Sequence, residues 1–517
     1  MRMRAPQKRR PERARNLDVV QIAAPSRYEP GILAPACHVP CSPFRAIVTL
    51  LRGESTMAEL WELSAEEAVR RLTAGEVSPL ELVDASIARI EAVDGAVNAL
   101  PLHRFERARQ DAKRLGDVPP GDRGLLAGLP IAIKDLIDVE GMRTTYGCPL
   151  YADNVATGSD PLVTRLEARG GIVVAKSSSP EMGMMPVTTN RVFGHTRNPW
   201  NLETTPGGSS GGASAALAAG EVPLAHGSDI GGSLRIPAAF AGVCGLRPSP
   251  GRVPRTHSHR CFNHMSVQGP MARSVGDIAL FLDAMAGYLA SDPLSLPDPG
   301  MSFRLANEPP ARIGYVADIG LGGVEPDVAA LVEGALAKLD IPVEPLALDF
   351  GDMSRLFSVM IGHNTLIERA DFIAENREHL ERVLGLLLDY ASRLTAEDFI
   401  WAERERAAVF QRLSDAFEQV DVIVMPTVCC TAFSVEERGA RVDEWSESPP
   451  PWFQQCWGTV LTSCPILAIP AGLAPNGMPV GLQIVAPVRR EDMAIAAGRV
   501  IEQAVGSLPA IDPRPAP

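Results

Sequence analysis

Residues 206–237 read PGGSSGGASAALAAGEVPLAHGSDIGGSLRIP and contain the densest signal in the chain. Two glycine-rich segments, 206–214 and 227–237, lie on either side of an alanine-rich run. Glycine permits positive φ angles and lets backbone N–H groups crowd around a ligand, whereas small residues let a helix pack closely in a core. In the second segment Ser233 follows two glycines whose amides could converge on an oxyanion. The stretch therefore predicts a tightly packed helix and loops that present serine hydroxyls.

Three interpretations of the first segment compete. A phosphate-binding loop needs a lysine after its last glycine, and none is present here. Residues 207–211 fit the G-x-S-x-G nucleophile elbow with Ser209 as nucleophile, which requires a later aspartate and histidine. His363 and His379 are available, but both lie in polar, helical sequence without a distinctive context. A purely structural glycine turn is the third interpretation, and the segment alone does not choose among them.

A third segment lies upstream, where residues 128–138 read GLPIAIKDLID. Its Lys134 ends an apolar run, and a lysine at the end of a strand is usually solvated. Burial would change its chemistry, because desolvation disfavours the charged form and leaves a neutral amine that can accept a proton. Lys134 is therefore a candidate base if the strand end is covered.

Taken together, the three segments resemble the amidase signature family, which includes fatty acid amide hydrolase and the A subunit of glutamyl-tRNA amidotransferase. The resemblance covers nearly all of the chain after Met57 and also includes FGHTRNPWN at 193–201, GPMARSVGD at 269–277 and PAGLAPNGMPVGLQIVAP at 470–487. Each piece is weak by itself, but their shared order and spacing are specific. The resemblance implies an α/β fold with a large mixed β-sheet covered by helices on both faces.

The resemblance also assigns roles to residues of the three segments. It implies that Ser233 is the nucleophile, that Ser209 is a bridging serine held by a cis peptide after Gly208, and that Lys134 is the base. The remaining assignments are backbone amides of an oxyanion hole and side chains that orient the site. They are Ile230, Gly231 and Gly232 with the Ser233 amide for the oxyanion hole, and Ser210, Asp229 and Arg235 as supporting residues. A serine attacks poorly until its proton is removed, and a neutral Lys134 acting through Ser209 supplies that relay.

The function implied is hydrolysis of a small-molecule carboxylic amide to carboxylate and amine or ammonia, within the general amidase class. No metal or organic cofactor is implied. The alternative is the glutaminase subunit of a tRNA-dependent amidotransferase, although Ile236 stands where that subgroup typically has glutamine. A zinc site is a minor alternative because one short segment contains four possible ligands, His257, His259, Cys261 and His264. The substrate cleft is expected to take its shape from residues 183–190, 255–265 and 432–457.

Composition limits the other partners. The 517 residues carry a formal charge of −13 with a pI near 5.3, which argues against a nucleic-acid binder because such proteins need clustered Lys and Arg. No apolar stretch is long enough to span a bilayer, so no membrane association is expected. Nine scattered cysteines without CxxC pairs predict a reduced, cytoplasmic protein. A homodimer is the candidate oligomeric state.

The chain divides into a basic extension and one large domain. Residues 1–56 hold ten Lys and Arg against four Asp and Glu, and we expect them to be a disordered tail or to precede a natural start at Met57. Residues 57–517 are predicted to form one amidase domain with a variable helical region at about 300–420. Capping patterns at Ser64 and Ser78 predict two opening helices. Strands are predicted at 129–133, 172–175, 422–425, 466–469 and 482–485, and helices at 161–169 and 274–286.

Overall fold

The two opening helices begin where the capping residues predict. The computed structural model describes residues 60–255, 262–319, 323–437 and 451–514. In the first helix the Ser64 side chain accepts a hydrogen bond from the Glu67 amide. The second begins with a full capping box between Ser78 and Glu81 and has Pro79 at its first position. These bonds satisfy amides that the first turn of a helix leaves without partners.

Helices occupy much of the described chain and alternate with strands. The thirteen α-helices of the described residues are α1 Ala65–Ala74, α2 Pro79–Val97, α3 Phe105–Gly116, α4 Pro161–Ala168, α5 Gly211–Ala218, α6 Arg235–Ala241, α7 Val275–Met285, α8 Pro326–Leu336, α9 Met353–Asn376, α10 Arg382–Ala391, α11 Ala396–Phe417, α12 Gln455–Val460 and α13 Glu491–Val505. The helices predicted at 161–169 and 274–286 are confirmed as α4 and α7. None of the described helices is long and apolar enough to cross a membrane.

Within the described ranges, eleven strands form one mixed sheet, and two more form a small hairpin. The strands are β1 Leu102–His103, β2 Pro130–Lys134, β3 Ile172–Ser177, β4 Thr189–Asn190, β5 Gly194–His195, β6 Leu224–Asp229, β7 Cys244–Arg247, β8 Val267–Ala272, β9 Ile313–Tyr315, β10 Val343–Pro345, β11 Val422–Pro426, β12 Ile466–Leu473 and β13 Pro479–Val485. The order in the sheet is β1-β3-β2-β6-β8-β7-β12-β13-β11-β9-β10, and β4 pairs with β5. All five predicted strands are confirmed, with ends that differ by a few residues.

Helices cover both faces of this sheet. Consecutive strand residues point to opposite faces, and they belong to different core clusters: the cluster of Ile131 includes residues of α1, α4, α7, α8 and α13, whereas that of Ala132 includes residues of α2, α3, α5 and α6. Strands β2 and β3 are buried along their whole length and consist largely of apolar residues, as expected of strands covered on both faces. The predicted α/β fold with a large, doubly covered mixed sheet is therefore confirmed.

The region at about 300–420 contains more than helices. Helices α9, α10 and α11 pack on one another around a third core cluster. Two short strands of the same region join the edge of the main sheet: β9 pairs in parallel with β11, and β10 pairs in parallel with β9. This region is thus attached to the sheet that carries the site. The extension predicted at 1–56 and the start predicted at Met57 lie outside the described residues.

Candidate active site

Three elements meet at one edge of the sheet and position the predicted catalytic side chains. Strands β2 and β6 are parallel neighbours, so their carboxyl ends lie at the same edge. Lys134 is the last residue of β2, and the loop that contains Ser233 follows the last residue of β6. Ser209 and Ser210 lie directly before α5, and the Ser210 amide donates to the Ser233 carbonyl at 3.2 Å. The peptide bond between Gly208 and Ser209 is cis.

The Lys134 amine lies among three serine hydroxyls. Its Nζ is 2.8 Å from the Ser209 Oγ, 2.8 Å from the Ser210 Oγ and 3.1 Å from the Ser228 Oγ. Lys134 is fully buried, and Ser209 is only 2% exposed. The predicted base and bridging serine are therefore in direct contact, with Ser210 as a second contact.

The hydrogen bonds around Lys134 indicate which hydroxyl can give its proton to the amine. Ser210 Oγ donates to the Ser228 carbonyl at 3.3 Å and accepts from the Ser228 amide, so it can only accept from Lys134. A neutral amine has two N–H donors and one lone pair. If Ser210 and Ser228 take the two donors, the lone pair is left for the hydroxyl proton of Ser209. The arrangement thus suits proton transfer from Ser209 to Lys134.

Burial makes this neutral form accessible. Desolvation lowers the pKa of Lys134 to about 7, and the negative charge of Asp229 opposes that shift only in part. An amine with such a pKa is largely unprotonated in mildly alkaline solution. The sequence makes Lys134 a candidate base only if the end of its strand is covered, and the structure shows that it is buried.

Asp229 holds the loop that follows β6. Burial would raise the pKa of its carboxyl, but the guanidiniums of Arg235 and Arg247 outweigh burial and lower that pKa to about 2. Arg235 donates to both carboxylate oxygens, at 3.0 Å and 3.2 Å, and Arg247 donates to the Asp229 carbonyl at 2.7 Å. All three side chains are buried. The carboxylate also accepts from the Leu234 amide at 3.1 Å, which fixes the turn around Ser233.

The loop amides differ in their availability. The Gly232 amide already donates to Asp229 Oδ1 at 2.9 Å. In the part of the chain that is described, no acceptor is found for the amides of Ile230, Gly231 and Ser233. Three of the four amides predicted for the oxyanion hole are thus open, and Gly232 is engaged in holding the loop. A Cβ at Gly231 would lie 2.9 Å from the Phe357 ring, so this position requires glycine.

Several residues of the site were not singled out from the sequence. Ser228 is the third hydroxyl on Lys134, and Arg247 is the second guanidinium on Asp229. Arg235 also donates to Thr459 at 3.0 Å and Gln483 at 2.9 Å. Ser228 could have been found by its place directly before Asp229, whereas Thr459 and Gln483 lie more than 200 residues away in sequence.

Ser209 and Ser233 both line a cavity of about 450 Å³. One wall is the face of α9 with the helical spacing Ile361, Asn364, Thr365, Glu368, Arg369, Phe372 and Ile373. Tyr146 and Tyr151 add aromatic rings next to Phe372, with the Tyr151 and Phe372 centroids 5.8 Å apart. The predicted segments 183–190 and 255–265 do contribute, through Gly183, Met184 and Arg255. The expectation for 432–457 is wrong for its described residues, because none of them lines the cavity and α9 provides that wall instead.

The zinc alternative is mostly outside the described residues. Of its four members, only His264 lies in the described part of the chain. Burial lowers the pKa of His264 to about 4. No group of three or more His, Cys, Asp and Glu placed to hold a metal occurs in the described ranges.

The chain is similar to known proteins over most of its length. The sequence model of the Amidase family matches residues 81–495. The chain is 34% identical to an acylamidase of Rhodococcus erythropolis over 85% of this chain and 95% of the relative. It is 33% identical to the A subunit of the glutamyl-tRNA(Gln) amidotransferase of Roseiflexus castenholzii over 86% of this chain and 96% of that protein.

A solved structure has the same fold over most of the chain. The crystal structure of a bacterial aryl acylamidase of the amidase signature enzymes superposes with a TM-score of 0.78 and 28% identity, covering 86% of this chain and 96% of that one. The family match and the relatives both span far more than half of the chain. The chain therefore belongs to the amidase signature family.

Proposed function

We propose that this protein hydrolyses a small-molecule carboxylic amide through an acyl-enzyme on Ser233. The observation that carries the proposal is the buried amine of Lys134 in contact with Ser209, beside a cavity that Ser233 also lines. Membership of a family of hydrolases that act on carbon–nitrogen bonds supports the same reaction. The acylamidase relative supports a general amidase rather than a subunit of a larger enzyme.

The steps follow from the positions of the groups. Ser233 Oγ attacks the amide carbonyl while its proton passes to Ser209 Oγ, whose own proton passes to Lys134 Nζ. The amides of Ile230, Gly231 and Ser233 stabilise the oxyanion. Lys134 then returns the proton through Ser209 to the leaving nitrogen as the carbon–nitrogen bond breaks. Water attacks the ester by the same relay and releases carboxylate and free Ser233. Asp229 and Arg235 hold the loop and do not touch the reacting atoms.

A fluorophosphonate probe tests the assignment of the two serines. We expect the adduct on Ser233, since its hydroxyl lies next to the loop amides that would receive a tetrahedral phosphorus. Ser233→Ala should abolish labelling, whereas Ser209→Ala should slow labelling strongly without abolishing it. An adduct mapped to Ser209, with Ser233→Ala still labelled at the wild-type rate, would replace this mechanism with that of a G-x-S-x-G hydrolase.

The second candidate is the glutaminase subunit of a tRNA-dependent amidotransferase. The relative from Roseiflexus castenholzii favours it, because that protein is nearly as similar as the acylamidase. Purification from the native host distinguishes the two functions. Two further subunits that co-purify with the chain, together with hydrolysis of glutamine in preference to other amides, would establish the amidotransferase function.

A further inference from the structure

A histidine and a glutamine in the cavity are not used by the proposed reaction. His226 lies on β6 and Gln268 on β8, and both line the cavity beside Ser228. Gln268 is the register partner of Ser228 across the two strands. His226 is fully buried and Gln268 is 3% exposed. The paired strands β6 and β8 thus place two buried polar side chains in the wall of the cavity.

The imidazole of His226 is held in one tautomer. Its Nδ1 accepts a hydrogen bond from the Lys134 amide at 3.3 Å, so the ring proton is on Nε2. Burial, together with the nearby Lys134 charge, lowers the pKa of His226 to about 3, so the ring is neutral. His226 therefore presents one N–H donor, at Nε2.

That donor faces the Gln268 side chain. Gln268 lies against the imidazole ring, but neither His226 Nε2 nor Gln268 Oε1 completes a hydrogen bond of normal geometry with any described residue. Both atoms are buried. A donor and an acceptor left together in this way are stabilised by pairing with each other, since a buried polar group without a partner is costly. Pairing them directs the Gln268 Oε1 towards His226 and leaves the Gln268 amide N–H groups for the cavity.

We propose that Gln268 is a substrate-binding residue whose side-chain amide donates a hydrogen bond to an acceptor oxygen on the substrate, with His226 as the positioning residue behind it. The inference rests on the proposed function and narrows its substrate class. The substrate is an amide that carries, apart from the scissile group, an ether, hydroxyl or carbonyl oxygen. Its body is apolar or aromatic, in keeping with the wall formed by Tyr146, Tyr151 and Phe372.

Matched ligands test this subsite in binding, separately from hydrolysis. The probes are benzamides that carry either a methoxy or an ethyl group at the ortho, meta or para position, so that each pair differs by one acceptor oxygen. Binding is measured by calorimetry on the Ser233→Ala variant, which has no nucleophile. We expect the methoxy compound to bind about three- to tenfold more tightly than its ethyl partner at one ring position, as one hydrogen bond allows.

Variants at Gln268 and a matched control test whether the preference for the methoxy compound depends on this side chain. Gln268→Leu in the Ser233→Ala background should reduce the ratio to about one, and Gln268→Met serves if the leucine variant does not fold. His226→Phe should reduce the ratio and leave binding of the ethyl compound unchanged. The control is Asn364→Leu, which removes another amide from the cavity wall; that amide already donates to the Met360 carbonyl at 3.0 Å, so the ratio should persist.

Three results would overturn the inference. These are equal binding of all pairs, a preference that survives both Gln268 variants, and a preference lost equally in Asn364→Leu. Wild-type hydrolysis of the same benzamides separates this inference from the proposed function. Hydrolysis without a methoxy preference refutes the subsite alone, and a Gln268-dependent preference in binding without hydrolysis refutes the proposed function alone.

Discussion

Lys134 shows how one position of the chain determines the chemistry of the site. The residue would be an ordinary cation at a solvated strand end, but here it is fully buried among Ser209, Ser210 and Ser228. Its pKa of about 7 places the change of charge within the working range of most enzymes. Activity should therefore depend on pH through this amine.

Turnover should rise with pH as Lys134 loses its proton. In the proposed mechanism the neutral amine is the active form, so kcat/KM at pH 6 should be about a tenth of its alkaline plateau for a pKa near 7. Lys134→Ala should nearly abolish turnover, and Lys134→Arg should not restore it because a guanidinium keeps its proton. Stopped-flow and steady-state assays from pH 5 to pH 9 measure the profile. A flat profile with chemistry rate-limiting contradicts the role of Lys134.

Removal of the Asp229 charge should destabilise the folded protein strongly. Asp229→Asn leaves the guanidiniums of Arg235 and Arg247 buried without a counter-charge, which should lower the free energy of unfolding by about 3–5 kcal/mol. Urea unfolding measures the change. Asp389→Asn is the matched control, since its pair with Arg377 is exposed and its loss should fall within experimental error. An equally small change in the free energy of unfolding for both variants would show that the buried ion pairs of Asp229 do not stabilise the folded state.

The sequence predicted these residues unevenly. Lys134, Ser209, Ser210 and Asp229 stand in short motifs whose order along the chain is specific, so the resemblance to the amidase signature family was enough to name them. His226 and Gln268 could not be named in this way, because a lone histidine and a lone glutamine within strands carry no local pattern. Their roles depend on which strands are neighbours, and pairing between β6 and β8 is a property of the folded sheet.

At the scale of elements, glycine determines how closely α5 approaches the rest of the site. A Cβ at Gly212 would lie 2.5 Å from the Ser178 amide nitrogen and 2.7 Å from the Ala99 carbonyl oxygen. Both contacts are with backbone, which cannot move aside as a flexible side chain can. The short distance between α5 and the chain after β3 therefore fixes where Ser209 and Ser210 lie.

Two glycine-to-alanine substitutions in helices should act in opposite directions. Gly212→Ala should destabilise the protein by about 1–3 kcal/mol or more through overpacking, and should also reduce activity. Gly95→Ala in α2 meets nothing within 4 Å and should stabilise it by about 0.5–1 kcal/mol, since alanine loses less conformational entropy in a helix. Thermal unfolding of the two variants measures the effects. Stabilisation by both would mean that α5 can shift without cost.

At the scale of the whole molecule, the cavity joins the sheet edge to the helical region that follows it. The predicted catalytic residues lie at the end of β2, in the loop after β6 and in the loop before α5, whereas another wall of the cavity is the face of α9. The sequence places α9 within a polar helical region but does not show which face turns towards Ser233. The predicted catalytic residues and the α9 wall of the cavity thus come from different parts of the chain, and the α9 wall was the harder one to predict.

Phe372 should select substrates by size. Phe372→Ala removes a ring from the cavity wall, so kcat/KM for amides with bulky aromatic groups should rise relative to acetamide by about tenfold. A series of amides of increasing size measures the ratio. Phe410→Ala is the matched control, because Phe410 is an exposed phenylalanine of α11 and its loss should leave the ratio unchanged. An unchanged ratio in Phe372→Ala would show that the ring does not limit the substrate.

The distant partners of Arg235 have a consequence for biosynthesis. The guanidinium that steadies the nucleophile loop bonds Gln483, which is made 248 residues later. The ribosome therefore synthesises Lys134, Ser209 and Ser233 long before it makes Gln483, which contacts the loop of Ser233 through Arg235. During this interval the growing polypeptide contains these three residues but lacks the hydrogen bond between Arg235 and Gln483. The contact between Arg235 and Gln483 can form only after β13 has been made and has joined β12 and β11 within the sheet.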